Sequence, residues 1–378
     1  MTRGQIIIIT LLSIIACALI LVLGYFTYRI YQSFATRPLG PALPFAGQTM
    51  PPLWTPTPGS ESTPAGLVTL APMVNEATTI PSAVCGGPDI MNILVVGADT
   101  RRDNYIYGLA DAIRILRVDF VTPKVSILEF PRDLWVEIPH ISDNLNGQNH
   151  EKLNQAYLYG QPGFRYWDNP SGGAGLLSLT LNLNFGAQID HYIVVNMRTF
   201  VNIVNAVGGI TVNIPDIEAS NNTGLLIGDH DLDGEEALKV VRNRQGGTFE
   251  RADNQNLVLC ALREKITKPK VITQIPGLIE SFEDNVLTDF TPEQFAQLAC
   301  LGTKLPPQNI VFASFPVELF KPTREFDPVF DKRIYILDAD FDIMRDYVMR
   351  FQNGSWPKPS IALPTATYFE EEKTLICQ

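Results

Sequence analysis

From Ile6 to Phe26 the chain reads IIIITLLSIIACALILVLGYF, without one charged side chain. At a rise of about 1.5 Å per residue, a helix of this run matches the roughly 30 Å hydrocarbon core of a bilayer. A single membrane-spanning helix follows, and everything after it lies on one side of a membrane. A cleaved signal peptide is the alternative, but the run exceeds the roughly 7–15 apolar residues of such a segment and no small-residue cleavage site follows it. Arg3 precedes the run and Arg29 and Arg37 follow it, so flanking charge leaves the orientation open. A span at the N-terminus with the whole body behind it most often means a short cytoplasmic tip and an exported body.

The expected organisation is a tip and span over 1–28, a linker over 29–88, a folded domain over 89–267 and an extension over 268–378. Prolines recur from Pro38 to Pro88 among Ser, Thr and Gly. Such a composition favours extended chain and reads as an extracytoplasmic spacer that holds the body away from the membrane. Beyond it, 46% hydrophobic residues are enough for a real core, while a formal net charge of -11 argues against nucleic acid as a partner. Outside the span lie Cys85, Cys260, Cys300 and Cys377, an even number suited to an oxidising compartment. The favoured pairs are Cys85 with Cys377 and Cys260 with Cys300, with unpaired buried thiols as the alternative.

"MNILVVGAD" is an apolar run that reads as a strand buried on both faces, placing Asp99 at its C-terminal end. In open α/β sheets ligands collect at that end. "DAIRILRVDF" and "KVSILEF" flank the Thr122-Pro123 turn and read as a hairpin, after which Pro131 leaves Arg132 and Asp133 at an irregular point. Helical spacing in "LLSLTLNLNFG" and "MRTFVNIVNAVGG", followed by the strand "ITVNIP", makes the class α/β. After Thr267, "TPEQFAQLACLGTKL" and "DADFDIMRDYVMRFQNG" read as helices and "NIVFASFP" as a strand. This part is expected to pack on the same sheet, with a small accessory domain as the alternative.

"KVVRNRQGGTFERADNQ" gathers Lys239, Arg242, Arg244 and Arg251 in an acidic chain. "DGEEALKVVR" is a helix with Asp233 at its N-cap and Glu236 completing a capping box, so Arg242 and Arg244 fall at its end. Arg251 and Gln255 lie at i and i+4 on the next helix, hence on one face. Lys239 has Glu235 as an i, i+4 partner and reads as surface pairing. The arginines have few acids near them in sequence, and guanidinium forks suit phosphate.

In ordered blocks the chain resembles the LytR-CpsA-Psr family: "NILVVGADTR", "ADAI", "ILEFPRDLWVEIP", "EKLNQAY", "IDHYIVVNMRTFVNIVNAVGGITVNIP", "HDLDGEEALKVVRNR" and "FERADNQ". The resemblance spans about residues 91–267. It implies a three-layer domain with a mixed β-sheet flanked by helices, anchored in the cell membrane by one span. It also implies an extracytoplasmic phosphotransferase that moves a glycopolymer from a polyprenyl-pyrophosphate carrier to peptidoglycan. Asp99 and Asp111 match carboxylates that hold a divalent ion, Mg²⁺ or Mn²⁺. Arg101, Arg132, Arg242, Arg244 and Arg251 match catalytic groups around the pyrophosphate, joined by Lys152 and Gln255 as binding groups. Asn154 and Asp190 also match, and burial or capping explains Asp190 equally well.

Two departures stand out. Leu109 occupies a position where the family usually has arginine, two residues before Asp111, and Asn254 replaces another. Arg102 or Arg114 are the candidates to make up the first loss. Candidates for the general base are Asp133 and Asp103. A polyprenyl groove has two candidate linings, the leucines from Leu176 to Leu183 with Phe185, and Phe200, Val201, Ile203 and Val204, against simple core packing for each. Three activities stay open: the phosphotransferase, a pyrophosphatase using water, and a non-catalytic lipid-binding anchor.

Overall fold

The structure, a computed structural model, describes residues 17, 20–26, 28–29, 35–44, 82–100, 105, 107–143, 147–245, 247–266, 286–328, 331–357 and 374–376. Most of the expected span, Arg101, Arg102, Asp103 and Cys377 therefore lie outside the described residues. Among the described residues no helix is long and apolar enough to cross a membrane.

The apolar run forms β1 (Ile90–Ala98), which pairs antiparallel with β2 (Ala110–Asp119) and parallel with β6 (His191–Asn196). β2 turns into β3 (Lys124–Glu129) at the expected place, where Asp119 Oδ1 accepts from the amides of Val121 and Thr122 at 3.1 and 2.7 Å. Past Pro131, β4 (Trp135–Glu137) and β5 (His150–Lys152) make a small ladder of their own. A second hairpin, β7 (Ile210–Ile214) with β8 (Gly228–Leu232), also stands apart from the main sheet. The main sheet runs β13-β10-β3-β2-β1-β6-β9, with β9 (Val286–Thr288) at one edge and β10 (Ile310–Ser314) and β13 (Thr374–Ile376) at the other. Residues after 267 thus supply strands to both edges, and add a hairpin of β11 (Phe320–Asp327) and β12 (Lys332–Ala339).

Alternation along β1 sends its side chains to two faces. Leu94, Val96 and Ala98 enter the main core with α1 (Leu153–Tyr159), α2 (Gly172–Phe185) and, after β12, α8 (Phe341–Gln352). Met91, Ile93 and Val95 turn to the opposite face, under α7 (Pro292–Lys304). Further along, α3 (Met197–Ala206), α5 (Gly234–Arg242) and α6 (Thr248–Ile266) close a second core around Val204, Val212, Val240 and Val258. The short α4 (Ile217–Thr223) leans on α6. Helices on both faces of a mixed sheet make three layers. α5 begins with the expected capping box, Asp233 accepting from the Glu236 amide at 2.9 Å and Glu236 from the Asp233 amide at 3.0 Å.

Two expectations about chain packing are overturned. Cys85 is bonded to Cys300, not to Cys377, and Cys260, also in a disulfide, is therefore not the partner of Cys300. The turn at Val84–Gly86 packs with α7 over Phe120, while Cys260 on α6 lies further along the sheet against Ile127 and Phe312. Residues 35–44 are not a solvated spacer either. The Leu39 amide donates to the Phe290 carbonyl at 2.9 Å, the Tyr192 hydroxyl donates to the Pro41 carbonyl at 3.0 Å, and Leu43 is buried in the main core. Gly40 permits this approach, since a Cβ there would lie 2.5 Å from the Thr288 carbonyl oxygen. Proline keeps the strap extended, but Leu39 and Leu43 give it something to bury. The body is thus fastened from roughly ten residues after Arg29 onward.

Beside the main core, Glu151 is fully buried next to Asp327 and accepts from Gln148 Nε2 at 2.7 Å and Gln155 Nε2 at 2.6 Å. Burial, with Asp327 facing it, pushes the Glu151 carboxyl up to about 7. The folded state therefore holds a proton that the unfolded chain releases near pH 4.3. Its contribution is full below that pH and is lost as pH rises through about 7. Glu151→Gln keeps the neutral shape at all pH values. Its melting temperature is expected to match the parent near pH 4 and to exceed it at pH 8, where the variant is the more stable by an amount on the order of 1–3 kcal/mol.

Candidate active site

β1 and β2 end side by side, and the loop between them folds back onto Asp99. The Asp99 amide donates to the Leu109 carbonyl at 3.0 Å, and the Leu109 amide donates to Asp99 Oδ1 at 2.7 Å. Gly108 allows the return, because a Cβ there would stand 2.5 Å from Thr100 Cγ2. Leu109 thus contributes its backbone, and no charge, where the family has arginine. Burial raises the pKa of Asp99 against the Leu109 hydrogen bond, and nearby Asp111 adds to the rise.

Asp111, one residue into β2, is the meeting point of the arginines. Arg132, delivered by the irregular turn after β3, forms an ion pair with its Oδ1. Arg244, just past the end of α5, places Nη2 at 3.5 Å from Oδ2. Arg251, buried at the start of α6, donates from Nη2 to the Asp111 carbonyl at 2.8 Å and has Nη1 at 3.9 Å from Oδ2. Burial and the nearness of Arg132 both lower the Arg251 pKa. Three guanidinium charges against one carboxylate leave a surplus of positive charge. Arg242 adds to it, exposed at the same mouth and without an ion pair among the described residues. Behind Arg132, Asp133 Oδ2 accepts from Arg132 Nε at 3.3 Å and Oδ1 from Lys152 Nζ at 2.9 Å. Both carboxylate oxygens are taken up by cations, so Asp133 positions Arg132 and Lys152 instead of standing open as a base.

From this charged mouth a cavity of ≈ 360 Å³ runs between the sheet and the helices α3, α5 and α6. Along α6, Arg251, Gln255, Val258 and Leu262 form one stripe that passes from charged to apolar. Leu238 and Val241 of α5, Phe200 and Ile203 of α3 and Val195 of β6 complete the apolar interior. Of the two expected groove linings, the α2 leucines belong elsewhere. Leu176, Leu177, Leu181 and Phe185 are buried in the main core on the opposite face of β1. Val201 and Val204 are buried without lining the cavity. Leu238 and Val241, which the sequence reading does not include, share α5 with Arg242, and their i, i+3 spacing is the signal that marks them.

The remaining expected residues are structural in this geometry. The Asp190 carboxylate accepts from the Asn92 amide at 2.7 Å, at the end of β1 away from Asp99. Asn154 is buried and its amide donates to the Arg132 carbonyl at 3.0 Å, which ties α1 to the Arg132 turn. Asn254 points away from the mouth and donates to the Asn222 carbonyl at 2.9 Å. Arg114 reaches the cavity wall but is bonded to Glu129, Asn256 and Gln255, so it does not stand in for an arginine at Leu109. Lys239 is exposed and makes no ion pair with Glu235 among the described residues.

A sequence model of the LytR_cpsA_psr family matches residues 75–338. The chain belongs to that family. Among curated proteins it is 30% identical over 213 residues to the Oceanobacillus iheyensis polyisoprenyl-teichoic acid–peptidoglycan teichoic acid transferase TagU, covering 56% of this chain and 62% of that protein. It is also 26% identical over 208 residues to the regulatory protein MsrR of Staphylococcus aureus, covering 53% and 57%. The match thus spans less than two thirds of the length of each relative. Among solved structures, B. subtilis TagV superposes with a TM-score of 0.53 at 22% identity, covering 70% of this chain and 98% of that one. TagT bound to LI-WTA gives 0.53 at 20% identity, covering 72% and 96%. Both likenesses show that the LytR-CpsA-Psr fold is shared.

Proposed function

We propose that this protein transfers a glycopolymer from a polyprenyl-pyrophosphate carrier to peptidoglycan. One observation carries the reading: an apolar cavity that opens onto Asp111, Arg242, Arg244 and Arg251 pairs a place for a long hydrocarbon with a place for a multiply charged anion. The TagU relative's name describes a transferase of the same kind. A membrane anchor through Ile6–Phe26, with the body outside the cell, fits the fully apolar run and the exposed helical side chains from Ile20 to Phe26.

In this reading the carrier's pyrophosphate lies at the mouth and its prenyl chain enters between α5 and α6. Arg244, Arg251 and Arg132, held by Asp111, bind the phosphate oxygens and gain strength as charge builds on the leaving polyprenyl phosphate. Their fixed geometry, set by Asp111 and by Asp133 behind Arg132, aligns the phosphorus for in-line attack by an acceptor hydroxyl. The apolar interior of the cavity offers water few hydrogen-bond partners.

Asp99 and Asp111 would hold a Mg²⁺ that completes its shell with phosphate oxygens and water, Asp111 giving up its longer contacts with Arg244 and Arg251, at 3.5 and 3.9 Å, to the ion and the phosphate. One observation supports the fit: the Asp99 carboxyl lies close enough to Asp111 for the two negative charges to raise its pKa, beyond the rise that burial causes. Bound there, the ion would supply Lewis-acid stabilisation of the phosphate charge. Full-length protein in vesicles, given a polyprenyl-pyrophosphate glycan and peptidoglycan sacculi, should transfer polymer. Phosphate release without transfer would instead identify a pyrophosphatase.

Ile203→Trp is expected to fill the cavity, at a stability cost of roughly 1–3 kcal/mol. It should weaken binding of a long-chain donor at least about tenfold and leave a short-prenyl donor bound. Equal binding of the long-chain donor by both proteins would place the lipid elsewhere.

A further inference from the structure

We propose that one exposed face of the β11–β12 hairpin is a docking platform for the acceptor, a glycan that carries carboxylate groups. The proposal rests on the transferase reading above and concerns a part of the chain that reading does not use.

The hairpin is built onto the turn that carries Arg132. The Leu337 amide donates to the Asp133 carbonyl at 2.9 Å, and Leu337 bridges Leu134. The Tyr335 ring centre lies 5.9 Å from Lys152 Nζ, which itself holds Asp133. Burial, and then the Asp133 charge, raise the Tyr335 pKa, as their closeness requires. Tyr335 is thus the inner end of the platform, joined to Arg132 through Lys152 and Asp133.

The register extends it outward. Arg324 stands directly opposite Tyr335, and Phe326 directly opposite Arg333. The two pairs are two residues apart along each strand, so all four side chains leave from one face. That face steps about 7 Å from the first pair to the second. Phe326 is 52% exposed and Tyr335 42%, and both arginines are exposed. Neither guanidinium meets a carboxylate among the described residues; Arg333 donates only to the Arg324 carbonyl, at 2.9 Å. The acids Glu325 and Asp327 alternate to the other face, and buried Asp327 faces Glu151 and pins the tip of the strand.

In a chain of net charge -11, an outward ladder of aromatic rings and unpaired guanidiniums is a departure from the general surface. Rings offer flat apolar contact to the faces of sugars, and guanidinium forks take carboxylates. A carboxylate-bearing glycan lying on the ladder would be led along it to Lys152 and Arg132, where its hydroxyl must arrive.

The test measures co-sedimentation of full-length protein with purified peptidoglycan sacculi, and with sacculi whose carboxyls have been amidated. Arg324→Ala with Arg333→Ala, and separately Phe326→Ala, should each bind untreated sacculi about tenfold more weakly than the parent. The parent should lose a similar factor on amidated sacculi. Binding of a polyprenyl-pyrophosphate donor should not change in either variant, and thermal unfolding of each should match the parent. Sacculus binding that survives both variants, or that is indifferent to amidation, overturns the platform. Loss of donor binding in the variants in place of sacculus binding overturns it too, by assigning the ladder to the donor polymer. A parent protein that binds sacculi through the ladder yet neither binds nor turns over the donor would sink the transferase reading and leave the platform standing.

Discussion

Asp111→Asn should lower polymer transfer about 10²–10³-fold per folded molecule and, because it leaves the buried Arg251 guanidinium without its carboxylate, should also lower the melting temperature. The carboxylate is the shared anchor of Arg132, Arg244 and Arg251. An amide cannot balance three guanidiniums, and the mutual repulsion already felt by Arg251 would push them out of the geometry that holds phosphate. Loss of one preorganised charge-stabilising group typically costs that range in rate. Arg244→Ala is expected to cost a comparable factor. Because the two act on one charge cluster, the double variant should be much better than the product of the single effects. Single-turnover transfer in vesicles, with donor binding measured separately, checks both statements. If Asp99 and Asp111 hold Mg²⁺ as proposed, chelation should slow the parent by a similar factor and change Asp111→Asn little. Parent-like transfer by Asp111→Asn would remove the arginine cluster from the mechanism.

Much of this site was legible because local rules and tertiary demands agree. The β2–β3 turn, the capping box at Asp233 and the Arg251–Gln255 face are consequences of spacing, and the structure keeps them. The meeting of Arg132 and Arg251 on Asp111 is different in kind. They come from a turn, a helix and a strand far apart in sequence, and the family resemblance, not periodicity, brought them together. Periodicity also could not divide the apolar residues between two sides of one sheet. The α2 leucines and the α5–α6 stripe look alike as patterns, yet only the second shares its helices with the arginines. The disulfide and the strap failed for a related reason. Cys85 and Cys300 are neighbours only because a turn and α7 cover the same end of β1 and β2. The Pro-rich composition of the linker concealed Leu39 and Leu43, where the amide hydrogen bond of the first to Phe290 and the burial of the second fasten residues 35–44 to the body.

Arg114 shows how a plausible site residue becomes a structural one. It sits 3% exposed on β2, with Nη2 at 2.6 Å from Glu129 and 3.1 Å from Gln255, and Nη1 at 2.7 Å from Asn256. Burial raises the Glu129 pKa, and Arg114 and then Arg251 oppose the rise, so losing Arg114 removes the larger of the two charges that favour the carboxylate. Arg114→Met keeps most of the side-chain bulk but leaves the partly buried Glu129 without its guanidinium partner. Removing one partner of such a pair costs about 3–5 kcal/mol, chiefly through the charge left behind. The denaturant midpoint should fall accordingly, and Glu129→Gln added to Arg114→Met should recover a large part of it. Donor binding by the folded fraction should fall less than in Arg244→Ala, because Gln255 loses its support but the mouth keeps its arginines. An Arg114→Met protein of parental stability that no longer binds donor would reverse the assignment, and make Arg114 the replacement for the arginine absent at Leu109.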